Sequence, residues 1–152
     1  MTMSGAPIRV FLLSSNRFLT EGLARVMRKT ADILAVGARP YSVDALVEII
    51  ELSSDLLLTD SVSALTVDSQ MTDELRLLLS QLKVVVIEIG DRESVFSELA
   101  RQGAMGYLSK DASVADIISM VRSVARGNAE YPPRLGMLQR SREGSTRIRF
   151  TP

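Results

Sequence analysis

The chain has 152 residues, of which 46% are hydrophobic and 24% are charged, as expected for one globular domain with a modest extension. It contains neither cysteine nor histidine, which excludes disulfides, thiolate or histidine metal sites and histidine-dependent catalytic triads. No apolar run reaches the length of a membrane span, and the first residues do not have the pattern of a signal peptide. We therefore expect a cytoplasmic protein that does not enter a membrane.

The net charge of zero conceals an uneven distribution of charge. Residues 1–133 hold 13 Lys and Arg against 17 Asp and Glu, whereas residues 134–152 hold five Arg against one Glu. This shift predicts a domain at residues 1–131 and a linker at residues 132–152. Arginines of this kind can contact nucleic-acid phosphates. With a single aromatic residue and no helical stripe, however, they favour a solvated linker.

Apolar segments with β-strand composition alternate along the chain with segments of helical periodicity. The predicted strands are residues 8–13, 33–38, 56–59, 84–89 and 106–108, and the predicted helices are residues 18–29, 42–50, 71–82, 94–102 and 113–126. Such alternation predicts an α/β fold, with a five-stranded parallel sheet and helices on both faces.

The ends of the predicted helices carry clear capping signals. Ser14-Ser15-Asn16 is a cluster of good N-cap residues before the first helix. Ser42 precedes the second helix, and the residues expected on the buried face of that helix are Val43, Leu46, Val47 and Ile50. Ser113 and Asp116 form a capping box before the last helix. Residues 61–70 are small and polar, which predicts a loop.

Asp60 follows a short run of residues suited to a strand buried on both faces. Ligand sites in open α/β sheets lie outside the carboxyl ends of the strands, although aspartate is also a common turn residue. Both interpretations of Asp60 stay open on this run alone.

Polar residues also follow the other predicted strands: Ser14 and Ser15 after the first, Glu88 at the fourth and Lys110 after the fifth. Together with Asp60 they would form a plausible phosphate or metal site.

Residues 8–134 resemble the receiver domain of bacterial response regulators, in particular the NarL/FixJ subfamily that carries a LuxR-type helix-turn-helix. Asp55-Leu-Leu-Leu-Thr-Asp60 is similar to the strand that ends in the phosphoacceptor aspartate, and residues 103–111 (GAMGYLSKD) are similar to that subfamily's GAxGYLxKD segment. The resemblance implies a (βα)5 flavodoxin-like fold with Asp60 at the phosphoacceptor position. It also implies that Lys110 is the phosphate-binding lysine and Tyr107 the aromatic that moves during switching, unless Tyr107 only packs on the last helix.

The sequence departs from this family at three pocket positions. Two adjacent acidic residues normally hold Mg²⁺, and here those positions are Ser14 and Ser15. The usual Thr or Ser at the end of the fourth strand is Glu88, whose charge would repel a phosphoryl group. We therefore expect that the Mg²⁺ site is lost and that no cofactor is bound. Lys110 would pair with Asp60, Glu88 or both, unless Glu88 points into solvent.

The resemblance gives three hypotheses of function. The first is an atypical receiver domain of a two-component-type transcriptional regulator, which acts as a regulatory and dimerisation module without Mg²⁺-dependent phosphorylation. This domain would form a homodimer, with Leu19 and Met120 as candidate exposed contacts unless both residues belong to the core. A triplet at residues 150–152 that is similar to the start of the subfamily's effector domain predicts a C-terminal helix-turn-helix that binds DNA. The second is a conventional receiver that a histidine kinase phosphorylates on Asp60. The third, a small flavodoxin-like enzyme, is disfavoured because the sequence has no GxGxxG or Walker loop, so no catalytic residue is assigned.

Overall fold

A computed structural model describes residues 6–70, 72–87, 105–109 and 111–129. Five strands in this part of the chain form one parallel sheet, as the sequence predicts, and their order is β2-β1-β3-β4-β5. They are β1 (Ile8–Leu13), β2 (Ile33–Arg39), β3 (Leu56–Asp60), β4 (Lys83–Ile87) and β5 (Gly106–Leu108). The middle strand, β3, is buried along its whole length.

The helices of the described residues cover both faces of the sheet. They are α1 (Arg17–Arg28), α2 (Val43–Glu51), α3 (Ser61–Gln70), α4 (Asp73–Leu78) and α5 (Val114–Ala125). Apolar residues of α1 and α5 form one core layer with alternate residues of the strands. Residues of α2, α3 and α4 form a second layer on the opposite face. None of these helices is long and apolar enough to cross a membrane.

The predicted capping residues occupy their expected places. The side chains of Asn16, Ser42 and Ser113 accept hydrogen bonds from helix amides at the starts of α1, α2 and α5. The capping box between Ser113 and Asp116 is complete. These helices begin where the sequence predicts because short polar side chains satisfy amides that have no partner within the helix.

Residues 61–70 form helix α3, so the prediction of a loop was wrong. This segment has no continuous apolar stripe. Val67 is buried in the core, whereas Val62 is exposed. The helix forms because the Asp60 carboxylate, at the end of β3, accepts hydrogen bonds from its first turn and because Val67 packs in the core. The helix predicted at residues 71–82 is shorter than expected. Its spacing predicts that Leu75, Leu78, Leu79 and Leu82 point inward, but Leu78 is exposed.

Helix α2 is rotated relative to the prediction. Val43 and Val47 are exposed, whereas Ala45 and Ile49 are buried together with Leu46. Both sets of residues have helical spacing, and packing against the sheet buries the set that contains Ala45, Leu46 and Ile49. The predicted helix at residues 94–102, the end of the predicted fourth strand at residues 88–89 and the domain boundary near residue 132 lie outside the described residues.

Gly37 permits β2 to pack closely against the neighbouring strand and helix. A Cβ added at Gly37 would lie 2.6 Å from the Phe11 ring and 3.1 Å from a Glu48 carboxylate oxygen. Phe11 is fully buried and has little room to move. Gly22, in the middle of α1, has the opposite environment, since an added Cβ would have no atom within 4 Å.

Alanine substitutions at these two glycines should therefore have opposite effects. We expect Gly37→Ala to lower the free energy of unfolding by about 1–3 kcal/mol, because it overpacks the core. Gly22→Ala should raise it by about 0.5–1 kcal/mol, because alanine favours the helix. Urea unfolding followed by circular dichroism would measure both variants, and equal effects would contradict the packing described here.

An ion pair links α5 to the turn before β2. The Arg122 side chain donates two hydrogen bonds to Asp32, at 2.8 and 3.0 Å. These bonds hold the pKa of Asp32 below its usual value, and the same partner raises the pKa of Arg122. With the two side chains 42% and 52% exposed, solvent screens the interaction.

This ion pair predicts a pH-dependent contribution to stability. Because folding lowers the pKa of Asp32, the contribution is present above the unfolded-state value of about 3.9 and is lost as the pH falls through the folded-state pKa. We expect Asp32→Asn to lower the free energy of unfolding at pH 7 by less than about 1 kcal/mol. Its stability should converge with that of the wild type in acid.

Urea unfolding across the acid range would measure the difference between the two proteins. Glu51→Gln is the control, since Glu51 is exposed and has no ion-pair partner in the described structure. A difference between Asp32→Asn and the wild type that persists unchanged in acid would contradict this role for the ion pair.

Candidate functional site

Strand pairing brings Ser14 and Asp60 to the same edge of the sheet. Leu13 of β1 is in register with Thr59 of β3. Ser14 follows Leu13 and Asp60 follows Thr59, so the two polar residues lie next to each other at the strand ends. Asp60 is also in register with Ile87, the last described residue of β4. The predicted convergence of strand ends is therefore confirmed for these two residues. Glu88 and Lys110 lie outside the described residues, so their predicted pairing is untested.

The Asp60 carboxylate is held by the first turn of α3. Its Oδ1 atom accepts a hydrogen bond from the Ser63 backbone N–H at 2.8 Å, and its Oδ2 atom accepts one from the Ser63 hydroxyl at 3.0 Å. The two residues are only 2% and 6% exposed. Since α3 begins at Ser61, directly after β3, Asp60 has the position and the hydrogen bonding of an N-cap residue.

The hydroxyl of Ser14 supports the turn between β1 and α1. Its Oγ atom accepts a hydrogen bond from the Asn16 backbone N–H at 3.1 Å, and its own backbone N–H donates to the Arg39 carbonyl at 3.0 Å. Ser14 is 3% exposed, whereas Ser15 is exposed. Asn16 then caps α1 by accepting a hydrogen bond from the Leu19 N–H at 3.1 Å. The polar residues after β1 thus end a strand and start a helix.

The chain matches no protein-family model. It is 28% identical over 137 residues to the response regulator protein VraR from Staphylococcus epidermidis. The matched region covers 89% of this chain and 65% of that protein. It is also 25% identical over 128 residues to an uncharacterised transcriptional regulatory protein, YvfU, from Bacillus subtilis. This matched region covers 84% of this chain and 64% of that protein. The chain spans between 54% and 65% of the length of such curated relatives.

A solved structure shares the fold over most of the chain. The signal receiver domain of the putative response regulator NarL from Mycobacterium tuberculosis has a TM-score of 0.65 and 24% identity, with coverage of 81% of this chain and 99% of that domain. The five-stranded parallel sheet and the named relatives agree with the motifs of the sequence. The chain thus has the fold of a response-regulator receiver domain and resembles the NarL/FixJ type in its motifs.

The described residues of this receiver domain do not fit Mg²⁺. They contain no group of three or more carboxylate, histidine or cysteine side chains that could hold a metal ion. Mg²⁺ usually binds one or two carboxylates together with water and phosphate oxygens. Here Ser14 offers a neutral oxygen that already accepts a hydrogen bond, and both oxygens of Asp60 accept hydrogen bonds from Ser63.

Tyr107 is almost completely buried within β5, with 1% of its surface exposed. A Cβ added at the preceding Gly106 would lie 2.9 Å from the Met120 sulfur of α5. Since successive side chains of a strand point to opposite faces, Tyr107 is directed away from α5. The suggested packing of this aromatic on the last helix is therefore wrong. Its role in switching stays a prediction.

Ser63 was missed in the sequence because its segment was expected to be a loop. One signal was available, since aspartate is a good N-cap residue and Ser63 lies three residues after Asp60. Without an apolar stripe in the following residues, that signal did not distinguish a helix from a turn.

Leu19 and Met120, suggested as exposed contacts, instead pack in or against the core, and Met120 is buried.

Removal of the Asp60 carboxylate should weaken the fold of this domain. We expect Asp60→Ala to lower the free energy of unfolding by about 1–2 kcal/mol, as for the loss of an N-cap that leaves buried donors unpaired. Asp60→Asn should cost less because the amide oxygen still accepts one bond. Urea unfolding followed by circular dichroism would measure both changes.

Ser42→Ala is a matched control, because it removes the N-cap of α2 away from the pocket. We expect it to cost about 1 kcal/mol. If Asp60→Ala instead stabilised the protein, the carboxylate would be held against electrostatic repulsion, and the capping role would be wrong.

Proposed function

We propose that this chain is an atypical receiver domain of a transcriptional regulator, which acts as a regulatory and dimerisation module without Mg²⁺-dependent phosphorylation. The observation that carries the proposal is the hydrogen bonding of Asp60. A phosphoacceptor carboxylate must present one free oxygen as a nucleophile to the incoming phosphorus. In this chain one oxygen caps a helix amide and the other accepts the Ser63 hydroxyl proton.

Transfer of a phosphoryl group to Asp60 would require rearrangement of α3. The new P–O bond would form at Oδ1 or Oδ2 as the bond between phosphorus and the donor's leaving group breaks, and the added group would crowd the hydrogen bond that Ser63 donates to the same oxygen. The added group carries up to two negative charges and needs space at a residue that is 2% exposed. Ser14 and Ser15 would not supply the negative charge that holds Mg²⁺ in this family.

The proposed domain communicates its state through protein contacts. One solved neighbour, RcsB, is 13% identical, has a TM-score of 0.67 over 88% of this chain and 68% of that chain, and is described as two dimers bound to two parallel DNAs. By analogy we propose that this receiver domain forms a homodimer in the cytoplasm. A C-terminal helix-turn-helix would bind DNA, with residues 132–152 as the linker to it.

The main alternative is a conventional receiver that a histidine kinase phosphorylates on Asp60. The family relationship favours it, and it differs from our proposal in one measurable property. A conventional receiver must bind Mg²⁺ and accept a phosphoryl group from a small donor, whereas the proposed domain does neither. In this proposal the chain has no catalytic residue and no cofactor.

We expect no phosphorylation of the wild-type chain by acetyl phosphate in the presence of Mg²⁺, because Asp60 caps α3 and the metal-binding carboxylates are absent. Intact-protein mass spectrometry would detect a phosphoaspartate, with Asp60→Asn as the blank. The double variant Ser14→Asp/Ser15→Asp restores the two acidic residues, and isothermal titration calorimetry should detect Mg²⁺ binding by this variant alone.

Stoichiometric labelling of the wild type that is absent from Asp60→Asn would overturn the proposal in favour of the conventional receiver. Mg²⁺ binding by the wild type with an affinity equal to that of the double variant would also contradict it.

A further inference from the structure

The two edges of the sheet differ in length. β5 has three residues, whereas β2 has seven, and Arg39 at its end is the only charged residue of β2. In the described part of the chain, no strand pairs with the outer side of β2. Proteins usually protect such an edge with charged side chains, with proline or with a covering segment, because its free backbone groups can pair with another strand. β2 therefore offers a place where an extended segment can add to the sheet.

The free backbone groups of this edge belong to particular residues. The carbonyl groups of Asp32 and Arg39 face β1, because they accept hydrogen bonds at 2.8 and 3.0 Å from the backbone of β1 and of the residue after it. Backbone groups of successive residues in a strand point to alternate sides, so those of Ala35 and Ala38 face away from β1. The register shift between β1 and β2 lies between these two alanines, which accounts for their spacing of three residues.

One flank of α2 places carboxylates beside the same edge. Glu48 lies over the end of β2, since its carboxylate pairs with Arg39 at 3.2 Å and a Cβ added at Gly37 would lie 3.1 Å from it. Asp44 lies one turn before Glu48 on this flank. It is exposed and has no ion-pair partner among the described residues. A strand added to β2 would therefore have the acidic flank of α2, formed by Asp44 and Glu48, on one of its faces.

The chain leaves α5 close to the start of β2. Arg122, in the last turn of α5, donates hydrogen bonds at 2.8 and 3.0 Å to Asp32, the residue before β2. The sequence after α5 thus continues from the amino end of the open edge. Residues 129–145 precede Thr146, and at about 3.3 Å per residue they can span more than twice the length of β2.

The sequence after α5 contains one segment whose chemistry matches this edge. In Thr146–Phe150 (TRIRF), basic residues alternate with apolar or β-branched residues, and no acidic residue is present. In an added strand, this alternation would direct Arg147 and Arg149 to one face of the sheet and Ile148 and Phe150 to the other. The segment thus combines the strand pattern with a charge opposite to that of the α2 flank.

We propose that Thr146–Phe150 adds to β2 of its own chain as a sixth strand of the sheet. Its backbone bonds to Ala35 and Ala38, and its two arginines lie on the α2 side, against Asp44 and Glu48. Arginine–carboxylate pairs are directional, so they fix which face of the segment meets α2. The docking gives the proposed linker a fixed place on its own receiver domain, and to that extent it rests on the proposed function.

Other occupants fit this edge less well. A second copy of the chain, paired β2 to β2 about a two-fold axis, would bring the two acidic flanks of α2 to the same side of the sheet, which opposes association. The phosphates of a nucleic acid would meet the same carboxylates. A helix cannot pair with the free backbone groups of the edge, because its own backbone groups bond within the helix.

Amide hydrogen exchange followed by NMR tests the proposal in the full chain. We expect the Ala35 and Ala38 amides to exchange at least about tenfold more slowly in the wild type than in Arg147→Glu/Arg149→Glu. The added strand accepts hydrogen bonds from these amides in the wild type, whereas charge repulsion from the α2 flank displaces it in the variant. Circular dichroism would establish that the variant is folded.

Two further variants show whether the contact is specific. Arg140→Glu/Arg142→Glu makes the same change of charge outside the segment, so its exchange rates should equal those of the wild type. Asp44→Arg, added to the variant with both segment arginines replaced by glutamate, should restore slow exchange because it places opposite charges together again.

The proposal is wrong if the wild type and Arg147→Glu/Arg149→Glu exchange these amides at equal rates, or if the control variant raises the rates as much. It is also wrong if slow exchange requires a high protein concentration or added nucleic acid, since a second copy or a nucleic acid would then be the occupant. Phosphorylation of Asp60 would overturn the proposed function without changing these rates, so the two failures are distinguishable.

Discussion

The pair of hydrogen bonds from Ser63 to Asp60 joins the middle strand of the sheet to the helix that follows it. β3 is buried along its length, and α3 starts at the residue after Asp60. The same carboxylate therefore ends the strand and starts the helix, at the residue that the sequence motif predicts as the phosphoacceptor position. Any change at these oxygen atoms also changes the start of α3, so the fold and the chemistry of the pocket cannot be altered separately.

This arrangement follows a pattern that is repeated at the carboxyl edge of the sheet. α1, α2 and α5 also start with short polar side chains, from Asn16, Ser42 and Ser113, that accept hydrogen bonds from helix amides. In the proposed atypical receiver, Asp60 and Ser14 have the same structural role, since each accepts a hydrogen bond from a backbone amide after its strand. The curated relatives have 24–28% identity with the chain. A pocket of this kind would regulate by its fixed shape and by its contacts with other proteins.

The sequence alone determined the features that depend on local chemistry. The apolar segments of the sequence specified all five β-strands and, by their alternation with helices, the parallel sheet. The capping residues specified the starts of α1, α2 and α5. The motifs around Asp60 and Tyr107 identified the family. Local chemistry was not sufficient for α3, because Ser61–Gln70 has weak periodicity and its helix depends on the cap that Asp60 provides and on packing against β3.

Tertiary structure also decided which of two helical spacings in α2 is buried, and it directed Tyr107 away from α5. The role of Ser63 belongs to the same class, since a serine in an isolated polar segment has no defined partner. These features depend on the positions of residues that are brought together only when the sheet forms, and a pattern of neighbours along the chain does not specify them.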